Sequence, residues 1–209
     1  MNLKATTILA AFALLVVTER TAPGQSSSEP SPVITDPEAY AVYAALLPRS
    51  VLQENHPEPL AIQLETFPGP EGCPSEASIT AEWRAAVDDY RKQNAQTKFV
   101  RPGFNLGRAY SLIPWAELRQ MLAAEGYLSP AAPRSNGPGW RVFSRFPGGS
   151  VIALSAVGFN PERTRAMVSV QRNCILKDGR RGCESTHTAG LRKNDGRWDP
   201  SAIGCHGIA

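Results

Sequence analysis

VIALSAVGF (Val151–Phe159), RAMVSVQ (Arg165–Gln171) and CESTHTAGLR (Cys183–Arg192) are the stretch whose reading decides the fold class. The first segment is almost wholly apolar, as expected of a strand covered on both faces. The second sets Ala166, Val168 and Val170 against Arg165, Met167, Ser169 and Gln171, the period of a strand and not of a helix. The third places Cys183, Ser185, His187, Ala189 and Leu191 on one face. Asn194-Asp195-Gly196 then signals a tight turn into Trp198. Together these segments predict a C-terminal antiparallel meander of three to four strands.

Upstream the period lengthens. Asp36 can cap a helix, Pro37 suits its first position, and Tyr40, Tyr43, Ala44 and Leu47 recur at helical spacing until Pro48. Leu60 to Phe67 alternates and reads as a strand, followed by a loop through Pro74. Ile79 to Gln93 is the clearest helix, with Ile79, Trp83, Ala86, Val87 and Tyr90 in one apolar stripe. A third helix is expected from Pro114 to Gly126, with Trp115, Leu118 and Leu122 inward, and residues 128–138 read as a connection. The predicted fold is therefore α+β: about three N-terminal helices packed on one side of the meander. Trp83, Trp115, Trp140 and Trp198 are expected to anchor the core.

The ends of the chain set its address. Lys4 precedes an apolar run from Ala5 to Val17, too short for a comfortable span, and Ala22-Pro23-Gly24 offers a small-residue cleavage site. Residues 1–24 read as a signal peptide, 25–34 (Ser/Pro-rich) as a flexible linker, and 35–209 as a single α+β domain. Because this is the one long apolar run, a multipass membrane protein is excluded and no membrane span is expected in the mature chain. Export to the periplasm or the extracellular space decides how the four cysteines are read. An even number in an oxidising compartment implies two disulfides in one of three connectivities. Cys174 and Cys183 flank ILKDGRRG and suit a clipped hairpin (Cys174–Cys183), which leaves Cys73–Cys205.

FPGGSVIALSAVGFN, RAMVSV, the cysteines Cys174 and Cys183, and LRKNDGRW together resemble an uncharacterised family of bacterial exported proteins. That family's C-terminal signature runs PG(S)…S-x-VGFN…A-x-V-x-V…C…C…L-x-K-x-x-G-x-W. The resemblance spans Gly139 to Trp198, with an echo in YSLIP (Tyr110–Pro114). It implies an exported domain and carries no activity, so no catalytic residue transfers. The long basic loop between Cys174 and Cys183 and the ending DPSAIGCHGIA depart from the pattern, which puts the last strand in question.

Chemistry-bearing residues are few. His187, on the face of Ala189 and beside Ser185, is the weak catalytic candidate, a general base for Ser185 or Ser155. Neither serine sits in a nucleophile elbow. Cys174, Cys183, His187, Cys205 and His206 lack a familiar zinc spacing, so no metal is expected. Glu82, Asp88 and Asp89 do not share one helix face well and read as solvated carboxylates. Phosphate-loop and dinucleotide fingerprints are missing, and no cofactor is expected.

Charge is asymmetric. Residues 25–133 hold 8 Lys+Arg against 13 Asp+Glu, and residues 134–209 hold 12 against 5. The basic excess lies at Arg172, Lys177, Arg180, Arg181, Arg192, Lys193 and Arg197. Arg180, Arg181, Arg192 and Lys193 are the candidate anion-binding residues, for an anionic cell-surface polymer or an acidic protein. Export and the lack of aromatic-basic interleaving argue against nucleic acid. The functional expectation is an exported, disulfide-stapled domain acting as a non-enzymatic binding or accessory protein. The alternative is a hydrolase of unrecognised type using His187.

Overall fold

The computed structural model describes residues 31–50, 59–126, 139–174 and 185–208, with the side chains of 48–50, 139–140 and 202–208 left aside. Among these residues the chain forms four helices and seven strands. Helix α1 is Pro37–Ser50, α2 is Ala81–Gln93, α3 is Trp115–Ala124 and α4 is Gly139–Phe143. The strands are β1 Leu60–Gln63, β2 Tyr110–Ile113, β3 Ser150–Leu154, β4 Gly158–Phe159, β5 Arg165–Cys174, β6 Ser185–Asn194 and β7 Arg197–Ile208. They make one sheet in the order β2-β1-β3-β5-β6-β7, with β4 also beside β5. β1 runs parallel to β2 and β3, and the remaining pairs are antiparallel.

This corrects the predicted architecture of three N-terminal helices on one side of a meander of three to four strands. The meander exists as β5-β6-β7, but it is the C-terminal part of a seven-stranded mixed sheet. The reason is the parallel addition of β1 and β2, four residues each, beside β3. The alternation from Leu60 announces β1, but its parallel pairing is non-local, and the four residues of β2 carry almost no periodicity to announce it.

Helices also cover both faces. On one face α1 buries Tyr43 and Leu47 against Leu60, Ile62, Ile152, Leu154, Val168 and Val170. On the other, Leu118 and Leu122 of α3 and Val142 and Phe143 of α4 meet Ala61 and Val151. Beside them Trp83, Val87 and Tyr90 of α2 pack on Met167. The alternation of β5 is thus real, but both of its phases are buried. Trp83 and Trp198 are core residues as expected, whereas Trp115 is 42% exposed. It starts α3, and only Leu118 and Leu122 of that helix turn fully inward.

Of the four cysteines only Cys73 and Cys174 have described side chains, and neither is free: both are disulfide-bonded. No pair of Sγ atoms stands at disulfide distance among the described residues, so the two are not bonded to each other. Cys73 lies in the loop before α2 and Cys174 ends β5 opposite Ser150. Cys183 and the Cys205 side chain fall outside the described residues, as does the expected signal peptide.

Two local departures from regular strand geometry shape the sheet. Asp195 and Gly196, both at positive φ, turn β6 into β7 as the Asn-Asp-Gly signal requires. The apolar run Val151–Phe159 does not stay one strand: it breaks at Ser155-Ala156-Val157 into β3 and β4.

Candidate functional site

The break between β3 and β4 interrupts the sheet ladder, so its backbone groups need other partners. Helix α2 supplies them. The Asn94 side chain donates to the carbonyls of Ala156 (2.9 Å) and Tyr90 (2.8 Å), and its oxygen accepts from Ala156 N (2.8 Å). Asp89 Oδ2 accepts from Phe159 N at 2.8 Å. On the sheet itself, Ser169 N donates to Ser155 Oγ at 2.7 Å, and Tyr43 Oη donates to the Ser155 carbonyl at 2.7 Å.

Gly158 is obligatory here. A Cβ built on it would stand 2.1 Å from Tyr90 N and 2.3 Å from Tyr90 Cα, so the strand lies directly against the backbone of α2. The Gly of the VGFN segment is thereby explained by close approach of two main chains.

A groove of about 670 Å³ opens beside this break. Its floor is Ala156, Val157 and Phe159, and its walls are the extended residues 32–36, Ala39, and Ala85, Asp89 and Gln93 of α2. At one end Arg163 pairs with Asp36 at 2.7 Å and lies over the Phe159 ring, 4.8 Å from its centroid. At the other end Gln93 Nε2 donates to Asp89 Oδ1 at 3.0 Å, and Lys98 Nζ donates to Gln93 Oε1. Burial pushes the Lys98 ammonium below its ordinary value, while Asp89 partly holds it up. Every carboxylate oxygen in the groove is engaged, since Asp36 Oδ1 also accepts from Glu38 N at 3.0 Å.

The residues singled out from sequence are distributed differently. Ser185 and His187 lie at the start of β6, opposite Arg172 and Val170 respectively, on the α1 side of the sheet. His206 stands opposite His187 in β7. Neither the groove nor a second hollow at Pro102, Arg108, Tyr110 and Leu112 has His187 or Ser185 in its wall. Arg192 and Lys193 sit at the other end of β6 and are ion-paired to different helices. Arg192 reaches Glu82 of α2 (2.8 Å), and Lys193 reaches Glu38 of α1 (2.6 Å). Arg180 and Arg181 lie outside the described residues.

Glu82 also pairs with Arg165, and these guanidinium contacts hold its carboxyl below the usual range. Asp88 stays on the exposed surface, so the three α2 carboxylates are not gathered into one site. Among the described residues no three His, Cys, Asp or Glu side chains are grouped to hold a metal ion.

Sequence reasoning passed over Lys98, Arg163 and Asn94, which local pattern cannot flag because their partners are far along the chain. Arg172 did carry a signal: it continues the inward phase Ala166, Val168, Val170. Its Nε is buried without a hydrogen-bond partner, and burial pushes its guanidinium below the ordinary value. No family model, curated protein or solved structure matches the chain.

Proposed function

We propose that this chain is an exported, non-enzymatic binding or accessory domain of the periplasm or extracellular space, and that it takes its ligand in the groove at the β3–β4 break. The observation that carries the reading is the groove itself. Its volume of about 670 Å³ falls in the range of ligand pockets, and its apolar floor is the VGFN segment. Export rests on the leader-like residues 1–24 and on the family resemblance. Among the described residues no helix is long and apolar enough to cross a membrane.

Binding is favoured over turnover because both carboxylates of the groove have their oxygens occupied by the fold. A ligand would lay an apolar body over Val157 and Phe159. It would turn an acidic or carbonyl group to Lys98, one of whose three ammonium protons is committed to Gln93. Anionic cell-surface polymers and acidic protein segments offer such groups. Ala85 lines the groove from an exposed helical position, so Ala85→Trp fills it without touching the core. Nuclear magnetic resonance titration of the mature domain with acidic oligosaccharides and acidic peptides should shift the amides of Val157–Asn160. Ala85→Trp should lose that response. Binding that persists in Ala85→Trp, or shifts confined to another surface, would overturn the assignment.

A further inference from the structure

The sheet carries several arginines, and most of them are answered. Arg163 meets Asp36, while Arg165 and Arg192 meet Glu82. Arg192 also leaves its Nε buried without a partner but meets Glu82 through Nη2, whereas Arg172 is the exception as a whole group. It is only partly exposed, makes no ion pair or hydrogen bond among the described residues, and leaves its Nε buried and unpartnered. A guanidinium stays charged in proteins and presents a planar fork of donors matched to oxyanions. Leaving such a group desolvated and unanswered is costly, so its position calls for a counter-anion.

The surroundings fit one. The β5–β6 register sets Ser185 directly opposite Arg172, and His187 opposite the neighbouring inward residue Val170. Directly opposed side chains stand about 4.5–5.5 Å apart at Cβ and diagonal ones about 7–8 Å, within the span of a guanidinium. All three are partly exposed, on the α1 side of the sheet. A hydroxyl, an imidazole and an unpaired guanidinium thus converge where β5 ends and β6 begins. This place is separate from the groove, whose wall contains none of them.

We propose that Arg172, Ser185 and His187 form an oxyanion-binding subsite that receives a phosphate, sulfate or carboxylate group. Arg172 holds two oxygens with its fork and Ser185 donates a hydroxyl proton to one of them, while the His187 imidazole borders the site. The group is either a free inorganic anion or the charged end of a larger molecule.

The test uses the mature full chain, with the Nε–Hε resonance of Arg172 followed by NMR and the melting temperature measured in parallel. Inorganic phosphate should shift that resonance saturably and raise Tm by about 5–10 °C at a hundredfold excess over Kd. Chloride at matched ionic strength should do neither. Glycerol 3-phosphate binding more tightly than phosphate identifies a larger ligand, and equal affinity identifies the free anion.

Arg172→Met should abolish the Tm response, and Arg172→Lys should keep a weaker one. Arg192→Met, which removes a guanidinium already paired with Glu82, should leave it intact. A wild-type resonance that ignores phosphate, an equal response to chloride, or a Tm response that survives in Arg172→Met would overturn the proposal. If Arg172→Met fails to fold, the wild-type resonance decides alone.

Discussion

The two ends of the α1-covered sheet treat buried polar groups in opposite ways. At the β3–β4 break the buried groups are answered. Asn94 closes on Ala156, Asp89 on Phe159 N, and Tyr90 Oη shares a hydrogen bond with Ser169 Oγ (2.7 Å), which in turn meets Thr188 Oγ1 (2.6 Å). At the start of β6 the Nε of Arg172 is left without a partner. The first pattern is what a fold needs to survive a broken ladder, because an unmade buried hydrogen bond costs more than a made one contributes. The second pattern does nothing for the fold and is understood as a receptor. Polar residues that look alike in sequence thus divide by whether the fold has already answered them.

That contrast can be broken at several points. The largest effect is expected from Gly158→Ala, because the new Cβ would collide with α2 backbone that cannot move aside. It should cost about 3–5 kcal/mol by urea denaturation. A loss below about 1 kcal/mol would mean that the strand and helix are not in main-chain contact. Asn94→Ala comes next, at about 1–3 kcal/mol, since it strands the N–H of Ala156 and leaves its carbonyl with Ser155 Oγ as the remaining donor. Asn94→Asp should recover only part, keeping the acceptor for Ala156 N while setting a carboxylate against two carbonyls.

Tyr90→Phe should cost about 1 kcal/mol at neutral pH. It also sharpens the comparison at high pH. Burial raises the Tyr43 and Tyr90 hydroxyls above their ordinary value of 10.0, with the Ser169 hydrogen bond opposing this for Tyr90. The unfolded chain therefore releases these protons first. Their contribution to stability is fully present below about pH 10 and falls as pH rises from there toward the folded-state values. In Tyr43→Phe and Tyr90→Phe the alkaline decline should be shallower, as read from melting temperature against pH. An unchanged slope would show that neither hydroxyl is shielded from water.

The smallest effect belongs to the other end. Arg172→Met should leave the urea midpoint unchanged or slightly higher in anion-free buffer, because it removes a desolvated charge that no partner offsets. A clear loss of stability would place Arg172 among the fold's own polar network and erase the distinction.

How much of this was legible beforehand depends on the range of the interaction. The β5 and β6 strands and the Asp-Gly turn after them, and the stripe of α2 with Trp83, Val87 and Tyr90, follow from spacing within a dozen residues, whereas the ending that forms β7 does not alternate. The alternation at Leu60 also announces β1, but not β2 or the parallel pairing of the two, because four residues in a non-local pairing leave no period to count. Asp89 was visible only as one carboxylate of an exposed-looking run. Nothing near it in the chain says that Phe159 N, 70 positions on, needs its oxygen. The same holds for Arg192 and Lys193, which read as a free basic strip until Glu82 and Glu38 are seen to meet them.

Sequence alone therefore determined where most of the longer helices and strands lie and which apolar stripes they bury. Those properties depend on steric and hydrophobic preferences repeated every two or every 3.6 residues. Tertiary structure decided that the apolar run breaks at Ser155–Val157, that a groove opens there, and which charges are left over. Those outcomes depend on which distant group arrives to satisfy a buried donor or charge, and that choice exists only once the sheet has closed.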